Sequence, residues 1–227
     1  MSFNSISESS PVIRDYLLYM QTIKGKSAKT IDEYFLDLRM FFRFIKSRKI
    51  KKLSQVPLDD IKIDDVDIPL IESVTYSDAY EFMNYLMRER GNSEVTRARK
   101  TSSIKSFYNY LTVKKHLIET DPLKELEAPK RPSKKPKYLT LEESINLLNA
   151  VDGKHKERDY CIITLFLNCG MRLSELVGLN VTDIRPDSTI RIIGKGNKER
   201  IVYLNNACVS AINNYLRVRP MDGVKDR

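Results

Sequence analysis

The sequence predicts a mainly α-helical protein in two domains, the first all-α and the second α+β. Three observations carry this. Long stretches of the N-terminal half repeat apolar residues every three or four positions, as a helix with one buried face does. A lysine- and proline-rich run, Ala128 to Lys137, interrupts that periodicity. Beyond it, two short β-branched runs flank a Gly-Asn pair, which is a hairpin signal.

The clearest helix lies in Ser27–Lys49, where Ile31, Tyr34, Phe35, Leu38, Phe41, Phe42 and Ile45 fall on one face. Ser27 suits its N-cap, and basic residues gather at its far end, as the helix dipole favours. A shorter helix precedes it over 11–21. An acidic stretch, Asp59 to Glu72, follows. Next come a helix over 77–90, with Phe82, Met83 and Leu86 inward and Gly91 at its end, and one over 93–114, with Ile104, Phe107, Tyr108 and Leu111 inward. Asp121 and Pro122 open a short helix in "DPLKELEAP", since proline is tolerated at the first helical position. The expected organisation is an all-α domain over 1–126, an extended linker over 127–137 kept from helix by Pro129, Pro132 and Pro136, and a second domain over 138–227.

Thr140 and Glu143 form a capping box at the head of the second domain. Helices are expected over 141–151, 157–169 and 174–179. The runs Thr189–Ile193 and Glu199–Leu204 make a hairpin turning at Gly196–Asn197, and a last helix covers 206–217.

Composition narrows the function. Hydrophobic residues are 41% and charged residues 30% of the 227, the balance of a water-soluble globular protein. No apolar run reaches membrane-span length and the N-terminus lacks a signal pattern, so a cytoplasmic location is expected. Cys161, Cys169 and Cys208 are odd in number and suit neither a disulfide framework nor a metal site; they read as buried free thiols. The net charge of +9 favours a polyanionic partner, most often nucleic acid.

The chemistry concentrates after "CIITLFLNC". Arg172 follows this apolar helix, and Glu175 lies one turn on along the same face. A carboxylate there can hold the guanidinium as a planar fork for a phosphate; the commoner use of such a pair is structural. Lys195, between Gly194 and Gly196 at the hairpin tip, can swing into a cleft or simply be solvated. Lys198 and Arg200 read as surface charge or as contacts to a phosphate backbone. His155 to Arg158, at the entry of the apolar helix, read as solvated helix-start residues. His116 has no catalytic partner in the sequence.

"RDYCIITLFLNCGMRLSELVGLNVTDI" followed by "IRIIGKGNKERIVYL" closely resembles the tyrosine recombinases, the Xer-type site-specific recombinases in particular. "SAKTIDEYFLDLRMFFRFI" and "TRARKTSSIKSFYNYL" resemble that family's N-terminal core-binding domain, a SAM-like helical bundle, and "DPLKELEAPKRPSKKPKYLT" resembles its linker. The resemblance implies that Arg172 grips a non-bridging oxygen of the scissile phosphate, that Glu175 supports it, and that Lys195 is the general acid for the leaving 5′-hydroxyl. It implies double-stranded DNA as partner, no metal or cofactor, and helices on the major groove with Lys26, Lys29 and Thr30 on one and Arg97, Arg99, Lys100 and Lys105 on the other. Lys134 and Lys135 would follow the duplex in the linker, and Lys198 and Arg200 would touch its backbone.

The family's His-x-x-Arg pair, its further His or Trp and its nucleophilic tyrosine all lie well downstream of the hairpin lysine. Tyr203 and Tyr215 follow Lys195, but one falls in a strand and the other on a helix's apolar side. The resemblance therefore implies a partial catalytic domain: a monomeric DNA-binding fragment of a parent that works as a tetramer on paired sites. A naturally short protein that occupies recombination sites without cutting them would read the same way. A basic helical module unrelated to DNA would explain the helices but not Arg172, Glu175 and Lys195 together.

Overall fold

The computed structural model describes residues 8–130, 136–194 and 196–220. The chain divides into two compact units, Met1–Lys134 and Lys135–Arg227.

In the first unit α1 (Pro11–Thr22) starts at the Ser10 N-cap with Pro11 in its first turn, and α2 (Ala28–Lys49) starts at the Ser27 N-cap. Between them Gly25 adopts φ +59°, and the N–H of Lys26 returns to the Met20 carbonyl, closing the end of α1. α3 (Ile68–Glu72), α4 (Tyr76–Arg88) and α5 (Glu94–Asn109) follow, the last two capped by Thr75 and Ser93. α2 is the spine. Its second half buries Phe41, Phe42, Phe44 and Ile45 together, and edge-to-face rings join Phe41 to Phe82 on α4 and Phe42 to Phe107 on α5.

The acidic stretch is stitched to α2. Arg43 donates to the Ile61 carbonyl at 2.9 Å, and Lys46 donates to the Lys62 carbonyl at 2.7 Å and pairs with Asp65, while Ile61, Ile63 and Val66 are buried. A deeper tie joins α2 to α5. The carboxylate of Asp37, fully buried, accepts both terminal nitrogens of Arg99 (2.6 and 2.9 Å), the ammonium of Lys100 (2.9 Å) and the hydroxyl of Ser103 (2.7 Å).

Two local expectations change. α5 ends in a π-turn over Tyr110–Lys114, and His116 turns the chain with φ 52°. "DPLKELEAP" forms hydrogen-bonded turns, not the expected short helix. Asp121 takes the Leu123 N–H at 2.9 Å, the Leu126 N–H returns to the Leu123 carbonyl at 3.0 Å, and Lys105 donates to the Lys124 and Leu126 carbonyls. Burial of Leu123 and Leu126 fixes the turn against the core.

The second unit begins with α6 (Leu141–Asn149), opened by the Thr140–Glu143 capping box and burying none of its side chains. α7 (Lys156–Cys169) packs on α9 (Asn206–Val218). Between them run α8 (Leu173–Val177) and an antiparallel sheet ordered β1 (Ile184–Arg185), β2 (Thr189–Ile193), β3 (Glu199–Tyr203). The hairpin register pairs Ile190 with Val202 and Ile192 with Arg200, and Gly196 and Asn197 turn it with φ +76° and 59°. β1 is a strand the sequence did not announce. The core joins Cys161, Leu165, Met171, Ile190, Ile192, Cys208 and Ile212. Cys161 and Cys208 are buried, Cys169 is half-buried, and all three are free thiols; Cys169 lies 4.0 Å from Cys208, and burial pushes its thiol up to about 12.

Candidate active site

The site grows from the end of α7. Gly170 takes φ 55°, a left-handed turn that stops the helix, and Met171 is buried behind it. Arg172 then stands at the N-cap of α8 in extended backbone, with Glu175 at the third helical position. The Glu175 carboxylate reaches back to the Arg172 N–H at 2.9 Å and accepts Nη1 of the same arginine at 2.8 Å. The two ends of this pair differ sharply. The Arg172 side chain is 71% exposed and that of Glu175 is 2% exposed.

A third member comes from β3. Arg200 donates from Nη1 and Nη2 to the two oxygens of Glu175 at 2.9 and 2.8 Å. Arg200 is thus no solvated surface charge. Sequence spacing could not reveal this, since the partners are 25 positions apart. The fork of Arg200, followed by the backbone N–H and guanidinium of Arg172, holds the Glu175 carboxyl far below the usual carboxylate range, against the opposing effect of burial. Gly194, beside β3, also fits this arrangement: a methyl group on its α-carbon would stand 3.1 Å from a Glu175 oxygen.

The pH dependence follows from the sign. A carboxyl whose folded value is depressed contributes stability that is complete above its unfolded value and lost progressively as pH falls from there through the folded one. Glu175 should therefore remain ionised well into the acid range. A carboxyl-carbon NMR titration should show no midpoint for Glu175 between pH 7 and pH 3. A midpoint near that of free glutamate would mean the two arginines do not hold it in solution.

The same device recurs one turn later. Asp183 accepts the Asn180 N–H at 3.0 Å and takes Arg191 of β2 at 3.0 and 2.7 Å, locking the next turn to the sheet. Here the arginine comes from the sheet alone.

Other expected site residues scatter. Lys195, Lys134 and Lys135 lie outside the described residues. Lys198 is exposed at the hairpin. His155 and Arg158 are exposed at the start of α7, and Arg158 pairs with the adjacent Asp159. Tyr203 is exposed on β3 and Tyr215 half-buried on α9.

In the first unit Lys26 and Lys29 are exposed at the start of α2, while the Thr30 hydroxyl pairs with that of Ser27 at 2.9 Å. Arg97 is half-buried on α5, and Arg99 is partly exposed between Asp37 and Glu33. Lys100, read from the sequence as facing DNA, is buried on Asp37, and Lys105 is spent on the carbonyls of the turn described above. Both ammonium groups found partners inside the unit that helix periodicity could not show. Among the described residues no group of three or more His, Cys, Asp or Glu could hold a metal ion, and no helix is long and apolar enough to cross a membrane.

Comparison with known proteins bears on this arrangement. Residues 137–226 match the phage integrase family. The chain is 51% identical over all 227 residues to the tyrosine recombinase XerC of Caldanaerobacter subterraneus subsp. tengcongensis, and 33% identical over 213 residues to XerC of Myxococcus xanthus. In each case it spans 64% of the relative's length. Two solved structures share the fold. They are the Tn1549 transposon integrase in complex with circular intermediate DNA (TM-score 0.60, 21% identity, 96% of this chain and 70% of that one) and a lambda integrase dimer bound to a COC' core site (TM-score 0.63, 15% identity, 97% and 57%). Half identical over its whole length to one tyrosine recombinase and folded as the integrases are, the chain is Xer-like, and its residues 137–226 carry the match to the phage integrase family.

Proposed function

We propose that the chain supplies the DNA-binding and phosphate-gripping parts of an enzyme that cuts and rejoins double-stranded DNA at specific sites through a 3′-phosphotyrosine. The observation that carries this reading is an exposed arginine, Arg172, held by a buried carboxylate. Attack on a phosphodiester builds negative charge on the non-bridging oxygens, and a cation already in place stabilises that charge without reorganising at the moment of reaction. Arg172 is that cation. Lys195 gives the proton that the leaving 5′-oxygen needs, as lysine can when neighbouring guanidinium groups lower its pKa.

On this reading Lys26, Lys29, Arg97 and Arg99 face the duplex from the first unit, with Lys134 and Lys135 following it in the linker and Lys198 beside it in the second unit. Lys100 and Lys105 take no part, being committed to Asp37 and to backbone carbonyls. The 227 residues act as a monomer on DNA, the recombining protein as a tetramer on paired sites, in the cytoplasm. Neither Tyr203 nor Tyr215 matches the family's nucleophile, so these residues by themselves bind DNA without cutting it.

The test joins a salt titration to a suicide substrate. Changing Lys26 and Lys29 together to Ala, or Lys134 and Lys135, should weaken binding to all duplexes alike and flatten the salt slope by roughly one unit for each phosphate no longer neutralised. The suicide substrate should trap no covalent protein–DNA adduct. A salt slope unchanged in both double variants would exclude DNA as the partner of these lysines, and an adduct on Tyr203 or Tyr215 would overturn the assignment of the nucleophile.

A further inference from the structure

The Arg172–Glu175 pair alone has a weakness as a phosphate receptor. One guanidinium and one carboxylate in contact sum to no net charge, and the carboxylate faces any incoming phosphate with its own negative charge. Like charges at such range repel, and more strongly where protein excludes water. Arg200 changes the balance. Its fork covers both oxygens of Glu175, and the cluster of two guanidinium groups and one carboxylate keeps a single positive charge. Among the described residues Arg172 then spends one side-chain hydrogen bond on the protein, from Nη1, and most of its surface remains in solvent.

We propose that Arg200 is a positioning residue for the phosphate site: it fixes the Glu175 carboxylate, and through it the fork of Arg172, and neutralises the charge that would otherwise repel the ligand. The proposal rests on the reading of Arg172 as a phosphate-gripping residue. On this proposal Arg200 acts through Glu175, whose two oxygens its two terminal nitrogens meet. Gly194 fits the same role, since a side chain there would crowd a Glu175 oxygen at 3.1 Å. The arrangement also ties β3, one side of the hairpin, to the turn that carries Arg172.

The second carboxylate device in this unit provides the control. Asp183 and Arg191 also join a turn to the same sheet, with Nε and Nη2 of the arginine on one carboxylate oxygen, but without an exposed arginine at the cap. A purely structural clamp predicts that removing Arg200 and removing Arg191 have the same kind of effect. Positioning predicts that they differ.

The experiment uses the 227-residue chain, with inorganic phosphate as probe and the side-chain Nε–H signal of Arg172 as readout. In the parent chain this signal should be that of a restrained guanidinium and should shift on titration with phosphate. In Arg200→Ala it should move towards free arginine, and phosphate should bind Arg172 about tenfold more weakly, as expected when a charge-assisted bidentate pair is broken. Arg200→Lys should recover part of the affinity, which depends on charge, but not the restraint, which depends on the fork. Arg191→Ala should lower the melting temperature and leave the Arg172 signal and its phosphate response intact. If Arg200→Ala and Arg200→Lys leave both as in the parent, or if Arg191→Ala disturbs them equally, the positioning role is wrong. An Arg172 signal that is released by Arg200→Ala but indifferent to phosphate in the parent would sustain the positioning and sink the phosphate reading instead.

Discussion

Asp37→Ala should destabilise the first unit by about 3–5 kcal/mol, the cost of removing one partner from a buried ion pair and leaving the other charged. The carboxylate is fully buried and answers four donors on α5, and one of them, Lys100, is itself buried. Loss of Asp37 strands that ammonium away from water. Arg99, partly exposed, can turn outward to Glu33 or solvent and suffers less. Urea unfolding followed by near-UV circular dichroism, to which the buried aromatic cluster of this unit contributes, should show the midpoint fall. A second change, Lys100→Met, should restore part of the loss in the double variant, because it removes the stranded charge; the non-additivity measures the coupling. Removing the exposed partner instead, by Glu33→Ala, should change stability by less than about 0.5 kcal/mol. An Asp37→Ala protein as stable as its parent would show that the four donors find water or other partners at no cost.

Much of this fold could be read from the chain, and the exceptions share a cause. α2 was legible because its apolar spacing is local and long. The hairpin was legible because a Gly-Asn turn between β-branched runs has few alternatives. The capping box at Thr140–Glu143 spans only three positions. What escaped were decisions made by distant residues. Nothing near Lys100 shows that its charge will be met by Asp37, 63 positions earlier, and nothing near Arg200 announces Glu175. The turns at Asp121–Leu126 read as helix because an Asp cap followed by proline is a helix-start signal, and nothing local shows that the Lys124 and Leu126 carbonyls will accept from Lys105, 19 and 21 positions earlier. The Arg172–Glu175 half of the site was visible. The half contributed by β3 required the fold.

In a chimera where these 227 residues replace the matching segment of the 51%-identical recombinase, Arg172→Lys should lower strand cleavage by roughly 10²-fold or more, the loss expected from one transition-state donor. Lysine keeps the positive charge but cannot present two parallel N–H groups, nor donate to Glu175 and to phosphate in one plane. DNA binding should change little, since many other contacts share the phosphate backbone. Melting temperature separates this from a structural role. If Arg172 served only to tie α8 to the sheet, the Lys variant would melt earlier and lose binding and cleavage in parallel. The structure argues against that outcome, because Arg200 and the Arg172 N–H would still hold Glu175. Cleavage at the parental rate in the Lys variant would take Arg172 out of the reaction.

α6 keeps no side chain in the core, and what shapes it is mostly local: a capping box and its own ladder of backbone bonds. Nine residues are fewer than an isolated helix needs to persist in water, since nucleation is unfavourable and each added bond repays it only slowly. Amide protons there should be among the first of this unit's helices to exchange with solvent, because opening α6 uncovers no fully buried side chain. The same economy works in the other direction. Leu141 and Ile145, four positions apart and both exposed, already lie on one side of the helix, so a surface that covered them would gain apolar burial with little of the helix left to order. α6 is thus the least anchored helix of the second unit, and the one whose order an added contact would raise most.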